Sequence, residues 1–385
     1  MSVVDAPEEQ DLDLFRAACV DFAARVVAPA VEEAEATGRF PRHVLRAAGE
    51  AGLLGVSLPV ELGGQGAPFR YHCVVAEEMG RVCPGIGAGL SGPCLGILAA
   101  HGSPEQHERW LRPAVAGELL GAIALTDPDG GSDLLAMRGS ATRVDDGWHI
   151  RASKMYITGG PISDFMIVLV YTDRQAGARG MSAFVVDSST PGVEIRELDK
   201  LGHRSIETGA VFLDCVVPPD AIVGREGDGM RCIGTFLERG RLLHAARSLG
   251  VARAAYDAAV LHAQQRQAFG GPLTSHQSMA FRLARMLTDV RTARLHLEDA
   301  CAVVERGGGT DATVAASMAK MIAAEVSVEV SLAAMHVLGG QGYMSESPVQ
   351  RYVRDALLYP ISEGTTEIQL RTIAKYGGVH AAARN

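Results

Sequence analysis

What most constrains this chain is a change of residue periodicity that happens twice. Over roughly the first 120 residues, apolar side chains recur every three or four positions. Leu12, Phe15, Cys19, Phe22 and Val26 form one such stripe. At Gly121 that period vanishes, and as far as Gly224 short alternating or wholly apolar runs replace it. These include Ala122–Thr126, Trp148–Arg151, Met155–Thr158, Phe165–Tyr171, Ala183–Asp187 and Ala210–Val216. From Gly229 the helical period returns and stays. A stretch patterned for one period does not settle in the other. The expected fold is therefore mainly α with a central β-domain: an N-terminal helical domain over 1–120, a barrel- or sandwich-like β-domain over 121–228, and a C-terminal four-helix bundle over 229–385.

Punctuation refines this. Pro29 should kink or end the first helix. Helices are expected over Pro41–Leu53, Phe69–Gly80 and Gly85–His101, with the flexible loop Leu62–Gly66 joining two of them. Ser103-Pro104-Glu105-Gln106 has a capping Ser, Pro at the first helical position and a Gln able to reach back. Asp146-Gly147 is a hairpin turn signal. In the C-terminal part, Leu242, Ala246 and Leu249, then Met279, Leu283, Met286 and Val290, then Met318, Ile322, Val326 and Val330 form three stripes, the last two separated by Gly307-Gly308-Gly309. Val314–Leu338 is smooth, but Lys320, Glu325 and Glu329 interrupt it, so it reads as a buried helix with no membrane insertion. A net charge of −9 without a basic run argues against a nucleic-acid surface. Seven cysteines lack C-x-x-C spacing, which suits buried thiols in a reducing compartment and no metal site. Met1–Glu9 is acidic and has no apolar core, so a cytoplasmic protein is expected.

Five stretches carry chemistry. Thr126-Asp127-Pro128-Asp129-Gly130-Gly131-Ser132-Asp133 follows the first β-run; it is either an ordinary turn or a set of amides able to meet a flat polar ligand. Lys154-Met155-Tyr156-Ile157-Thr158 places an aromatic and a hydroxyl just before Gly159-Gly160, either for packing or to stack on a ring. Arg266–Leu273 ends one helix and His276-Gln277 begins another; an Arg there caps carbonyls or clamps a phosphate. Leu338-Gly339-Gly340-Gln341-Gly342-Tyr343 breaks the long helix. Near the end, Glu363 precedes Gly364, where backbone can come closest to a ligand, and Thr365-Thr366 open a last helix over Glu367–Tyr376. Such a site is either an N-capping turn with solvated acids or a base backed by free amides.

Taken in order, these stretches resemble the acyl-CoA dehydrogenase family. Leu125-Thr126-Asp127-Pro128 through Ser132-Asp133 is similar to its L-T-E-P-x-x-G-S-D loop, and Lys154–Thr158 to its K-x-[WY]-I-T strand. Phe269-Gly270, the Leu338–Tyr343 break, Arg354-Asp355-Ala356 and Glu363-Gly364-Thr365 complete the likeness. The resemblance implies FAD as cofactor and usually a homotetramer. It implies that Ile123, Leu125, Thr126, Gly131, Ser132, Tyr156 and Thr158 hold the isoalloxazine. Arg266, Phe269, Gln277, His336, Gly339, Gly340, Thr365 and Glu367 would hold the pyrophosphate and adenosine, partly from a neighbouring subunit. Ser132, Glu238, Arg241 and Gly364 would contact the acyl thioester and its carrier. Glu363 falls on the catalytic base.

The implied reaction is oxidation of an acyl-CoA to its trans-2-enoyl thioester, with electrons passed to an electron-transfer flavoprotein or similar acceptor. A base in an apolar acyl pocket is expected to have a raised pKa. Some relatives carry their base beside the position of Arg241, but that position is Gly240 here, and Glu238 should point off that face. Ser362, Gly159, His336, Leu370 and Asp127 depart from the family's usual Tyr, Asn, Gln, Arg and Glu; Ser362 removes a ring that would narrow the pocket. These departures leave open an acyl-carrier-protein thioester as substrate. An oxidase using O2 and a non-catalytic flavin-binding subunit are the competing readings.

Overall fold

The computed structural model describes residues 6–307 and 309–379; residues 1–5, 308 and 380–385 lie outside the described residues. The chain begins with α1 (Ala6–Phe22), which passes through a π segment (Ala23–Val27) and a 3-10 turn (Ala28–Ala30) into α2 (Val31–Thr37). Pro29 thus ends the α-helical hydrogen bonding without breaking the helical path. Next come α3 (Arg42–Glu50), α4 (Phe69–Val82), α5 (Pro84–Leu90) and α6 (Pro93–His101). The single helix expected over Gly85–His101 is two, because Gly92 takes a left-handed φ of 50°. Ser103 and Gln106 form the anticipated capping box at α7 (Pro104–Gln106); a π segment then leads to α8 (Arg112–Val115).

Strands fill the middle: β1 (Gly121–Ala124), β2 (Ser140–Val144), β3 (Gly147–Thr158), β4 (Phe165–Tyr171), β5 (Met181–Asp187), β6 (Val193–Glu197), β7 (Thr208–Val217) and β8 (Ile222–Val223). They join in the order β6-β7-β3-β2-β4-β5-β8, with β1 parallel to β4. The β2–β3 hairpin pairs Val144 with Gly147, so its turn is Asp145-Asp146, one residue earlier than the Asp-Gly signal suggests. A Cβ at Gly147 would lie 2.1 Å from the Val217 carbonyl oxygen, so the glycine answers to strand contact. The two runs read at Trp148–Arg151 and Met155–Thr158 are one strand, interrupted by a bulge between Lys154 and Ile157.

Strand β4 is buried on both faces and shows period two plainly. Phe165, Ile167 and Leu169 join the core shared with the N-terminal helices, whereas Met166, Val168 and Val170 join Trp148, Phe184 and Leu213 between the two halves of the sheet.

Beyond the sheet, α9 (Gly229–Gln265) leads into a small hairpin of β9 (Gln267–Ala268) and β10 (Gly271–Pro272). There follow α10 (Gln277–Glu305), α11 (Thr310–Leu338), α12 (Gly340–Tyr343), α13 (Pro348–Ala356) and α14 (Thr366–Tyr376). Small residues on α9 and α11, among them Ala246, Ala252, Ala316 and Ala323, let these helices pack closely. Among the described residues α11 alone is long and apolar enough to cross a membrane; here it packs against α9, α10, α13 and α14.

Helix α4 joins the N-terminal and C-terminal helices. Phe69 and Cys73 face the α9–α11 core, while Val75 and Met79 face the first. Its buried Glu77 and Glu78 receive Arg16 from α1 at 2.8 and 2.6 Å, Arg253 from α9 and Arg294 from α10. That ionic knot fixes α4 against α9, and the candidate pocket lies between those two helices. All seven cysteines are buried and free, as the spacing implied.

Candidate active site

Glu363 sits between α13 and α14 on left-handed backbone (φ 52°), followed by Gly364 at φ 89°. Two long-range contacts hold this turn. Buried Lys320 of α11 donates from Nζ to the Gly364 carbonyl at 2.7 Å, and the Gln369 amide donates to the carbonyls of Glu363 and Gly364 at 3.2 and 2.9 Å. Thr365 caps α14 by accepting the Ile368 N–H. Among the described residues the N–H groups of Glu363, Gly364 and Thr365 donate to no acceptor. The N-capping turn and the backed carboxylate, left as alternatives by the sequence, coexist.

The Glu363 side chain is 22% exposed and borders a pocket enclosing about 530 Å3 of empty space, its mouth included. One wall is the α9 face bearing Thr235, Arg239, Gly240, Leu243 and Arg247; Phe69 and His72 of α4 and the Ser91–Gly96 corner close the rest. Oε1 lies 3.5 Å from both His244 Nδ1 and Arg247 Nη2, whereas Oε2 has no hydrogen-bond partner. A Cβ at Gly240 would come within 2.9 Å of Oε2. The glycine thus does more than lack a proton acceptor: it leaves the space that the Glu363 carboxylate occupies.

The charge around that carboxylate corrects one expectation. Burial pushes Glu363 up, but His244, Arg247 and Lys320 outweigh it and hold the carboxyl below its ordinary value rather than above it. Burial also lowers His244 despite the pull of Glu363. A guanidinium can only donate, so His244 Nδ1 accepts from Arg247 Nη2 at 3.1 Å. The ring N–H is then on Nε2, donating to Ser362 Oγ at 3.0 Å; that hydroxyl donates on to the Leu358 carbonyl. In the pH range where its ring is protonated His244 supplies most of that lowering, with Arg247 and Lys320 behind it. Burial lowers Lys320 to about 8 against the pull of Glu363. Ser362 is therefore committed to His244 and does not line the pocket, contrary to the expectation of simple widening.

Arg241 is buried, its Nε unpartnered; burial lowers its pKa, and Glu363 and Glu238 oppose this. Half-buried Glu238 forms no ion pair within 4 Å among the described residues and is raised by burial. Glu367 stands exposed in the first turn of α14.

A second group assembles around the β3 bulge. Tyr156 has φ 62° and is 69% exposed, and the Met155 N–H donates to the Thr126 carbonyl at 2.8 Å. This ties Tyr156 and Thr158 to the loop that follows Ile123 of β1 and bears Leu125, Thr126, Gly131 and Ser132. Below it, Lys154 donates to Asp127 Oδ1 at 2.5 Å and to the Leu125 and Leu169 carbonyls at 3.0 and 2.6 Å. Asp127 Oδ2 accepts the N–H groups of Arg138 and Gly139, so this shorter acid closes the loop from both ends.

The remaining predicted ligands lie apart. Arg266 is exposed after α9, Phe269 (φ 49°, 97% exposed) tips the β9–β10 hairpin, and Gln277 is exposed at the start of α10. His336, Gly339 and Gly340 are exposed at the far end of α11. Among the described residues no hydrogen bond or ion pair joins the side chains of Arg266, Phe269, Gln277 or His336 to the other two groups. Sequence reasoning missed His72, Arg239, His244, Arg247 and the role of Lys320. The signal was present: His244 and Arg247 are polar residues inside the buried stretch of α9.

Three family models match the chain: the acyl-CoA dehydrogenase N-terminal domain over residues 8–118, the middle domain over 122–216 and the C-terminal domain over 227–377. The chain belongs to the acyl-CoA dehydrogenase family. It is 36% identical over 372 residues to an acyl-CoA dehydrogenase of Bacillus subtilis, covering 95% of this chain and 98% of that one. Its fold superposes on butyryl-CoA dehydrogenase from Megasphaera elsdenii with a TM-score of 0.90 at 33% identity, covering 96% and 97% of the two chains. A prolyl acyl carrier protein oxidase superposes with a TM-score of 0.90 at 25% identity, covering 96% and 99%.

Members of this family are FAD-dependent oxidoreductases, and the residues here fit that cofactor. The exposed Tyr156 on its strained bulge borders an open loop in which a Cβ at Gly131 would meet only the Thr126 methyl, at 3.7 Å. Exposed backbone and an unpacked ring suit the flat, polar edge of a flavin.

Proposed function

We propose that the protein dehydrogenates an acyl thioester between its α- and β-carbons, giving the trans-2-enoyl thioester, with Glu363 removing the α-proton. The observation that carries this is the ionised Glu363 carboxylate at the pocket wall, with Oε2 unpartnered beside Gly240. A carboxylate is a weak base for a carbon acid, so charge developing on the thioester oxygen must be met by donors. The free Glu363 N–H is the chain's own donor for that oxygen, and its left-handed backbone allows amide and carboxylate to serve one substrate. Arg247 and Lys320 keep Oε1 and Oε2 deprotonated before substrate enters. FAD, when bound, supplies the two-electron acceptor for the β-hydrogen.

Ile123, Leu125, Thr126, Gly131, Ser132, Tyr156 and Thr158 would hold its ring. Arg266, Phe269, Gln277, His336, Gly339, Gly340, Thr365 and Glu367 would hold the remainder. Ser132, Glu238, Arg241 and Gly364 would meet the thioester and its carrier. The exposure of Phe269 and the separation of Arg266, Phe269, Gln277 and His336 from the other residues support completion of each cofactor site by another copy in a homotetramer. An electron-transfer flavoprotein or similar protein would reoxidise the flavin. The likeness to a prolyl acyl carrier protein oxidase supports a second reading, a carrier-protein thioester as substrate or O2 as acceptor. Rapid peroxide formation without added acceptor favours the oxidase.

The test is Glu363→Gln. The variant should retain FAD and bind thioester, yet lose anaerobic flavin bleaching by about 10²- to 10⁴-fold, the usual contribution of a general base. Near-normal bleaching overturns the assignment.

A further inference from the structure

The pocket carries more positive charge than an aliphatic acyl chain can use. Arg239 and Arg247 are on one face of α9, eight residues apart, and both line it. Arg239 stacks over Phe69 with its guanidinium carbon 5.4 Å from the ring centroid, and among the described residues it has no hydrogen-bond or ion-pair partner. Arg247 is buried; Nη1 donates to Ser91 and Nη2 to His244, and among the described residues Nε has no acceptor and the one carboxylate paired with it, Glu363, is 3.5 Å away. Buried His72 lines the same space with Nε2 unpartnered, and burial with Arg247 and Arg239 lowers its pKa to about 4, leaving a neutral ring. Glu363 is the one acid on the wall.

Arg239 is exposed to solvent, so a hydrocarbon chain laid against its guanidinium would strip water from it and return nothing, at a cost in desolvation. A carboxylate on the chain would pair with that guanidinium, and the planar fork matches the two carboxylate oxygens. We infer that the acyl group bears an anionic substituent beyond its β-carbon, the substrate being a monothioester of a dicarboxylic acid, with Arg239 the specificity-determining contact. This inference rests on the acyl-thioester reading above.

The test uses CoA thioesters of four to six carbons in pairs of equal length, one ending in methyl and one in carboxylate. Each is titrated calorimetrically into FAD-containing Glu363→Gln protein and compared on wild type by kcat/KM for anaerobic flavin reduction. A shared carrier within each pair cancels any contribution of carrier phosphates. The carboxylate member should be preferred by about tenfold or more, the worth of one charge-assisted contact, and Arg239→Leu should abolish most of that preference while Arg239→Lys keeps part. Equal affinities, a preference for methyl, or a preference that survives Arg239→Leu overturns the inference. Preferential binding of carboxylate thioesters without any bleaching of wild type would instead overturn the dehydrogenation reading and leave this one standing.

Discussion

Removing Lys154 probes how the flavin-facing loop is held. Its side chain and that of Asp127 are 0% and 2% exposed, so neither can recruit bulk water when the partner is lost. In Lys154→Met, Asp127 Oδ1 loses its cation and the Leu125 and Leu169 carbonyls lose a donor. Breaking a buried pair from one side costs about 3 to 5 kcal/mol. Spread over an unfolding entropy of about 2.1 cal/mol/K per residue for the whole chain, that is a fall in Tm of about 4 to 6 °C. Scanning calorimetry measures it, and flavin absorbance retained after gel filtration reports the loop. The decisive arm adds Asp127→Asn. An Asn oxygen can still accept from Arg138 and Gly139, and its amide nitrogen replaces Oδ1 without charge. The double variant should regain at least half of the lost Tm. A double variant less stable than Lys154→Met would refute the claim that uncompensated charge, rather than lost packing, sets the cost.

Two further outcomes follow from charges in the core. Glu363 acts as a base only when ionised, so kcat/KM falls as pH drops through its pKa. Arg247 is among the groups holding that pKa down, so Arg247→Gln should move the acidic limb of the pH profile to higher pH; an unmoved limb refutes the electrostatic role. Asp355 is fully buried and raised from 3.8 to about 7, first by burial and then by Glu35, against the His203 N–H that Oδ1 accepts at 2.6 Å and the nearby Arg351 and Arg354. Its folded pKa exceeds the unfolded one, so its contribution is intact below pH 4 and lost as pH rises through about 7. Asp355→Asn keeps the acceptor for His203 and should stabilise the fold at pH 8 by on the order of 4 kcal/mol at most, read as a raised Tm, and change it little at pH 4. A stabilisation independent of pH would refute that account.

Much of this was legible because period and punctuation are local properties. The strand at Phe165–Tyr171 matches β4 to the residue, and Ser103 and Gln106 cap as their spacing suggested. Gly92 escaped because a smooth apolar run does not announce a left-handed break within it. The turn at Asp145-Asp146 escaped because Gly147 is required by the Val217 carbonyl across the sheet, a contact no local signal records. Glu363 could be found as a carboxylate followed by glycine. Its ionisation could not, since it depends on His244, Arg247 and Lys320, which lie 119, 116 and 43 residues earlier.

Backbone conformation joins what the sequence showed to what it hid. Among the described residues four non-glycines have left-handed φ: Tyr156, His203, Phe269 and Glu363. Three of them belong to the motifs singled out from sequence, and two, Phe269-Gly270 and Glu363-Gly364, repeat the same pair of positive φ values. In the first, the pair is the two-residue loop of the β9–β10 hairpin, where positive φ matches the twist of the strands. In the second no hairpin exists to favour it, and a residue with a Cβ in this region costs about 1 to 2 kcal/mol. The turn persists because Lys320 and Gln369 hold its carbonyls from α11 and α14. The ammonium that fixes the backbone of the base is therefore also one of the cations that keep its carboxylate ionised. Lys320 thus contributes to both the geometry and the charge of Glu363, so position and protonation state are coupled at this site.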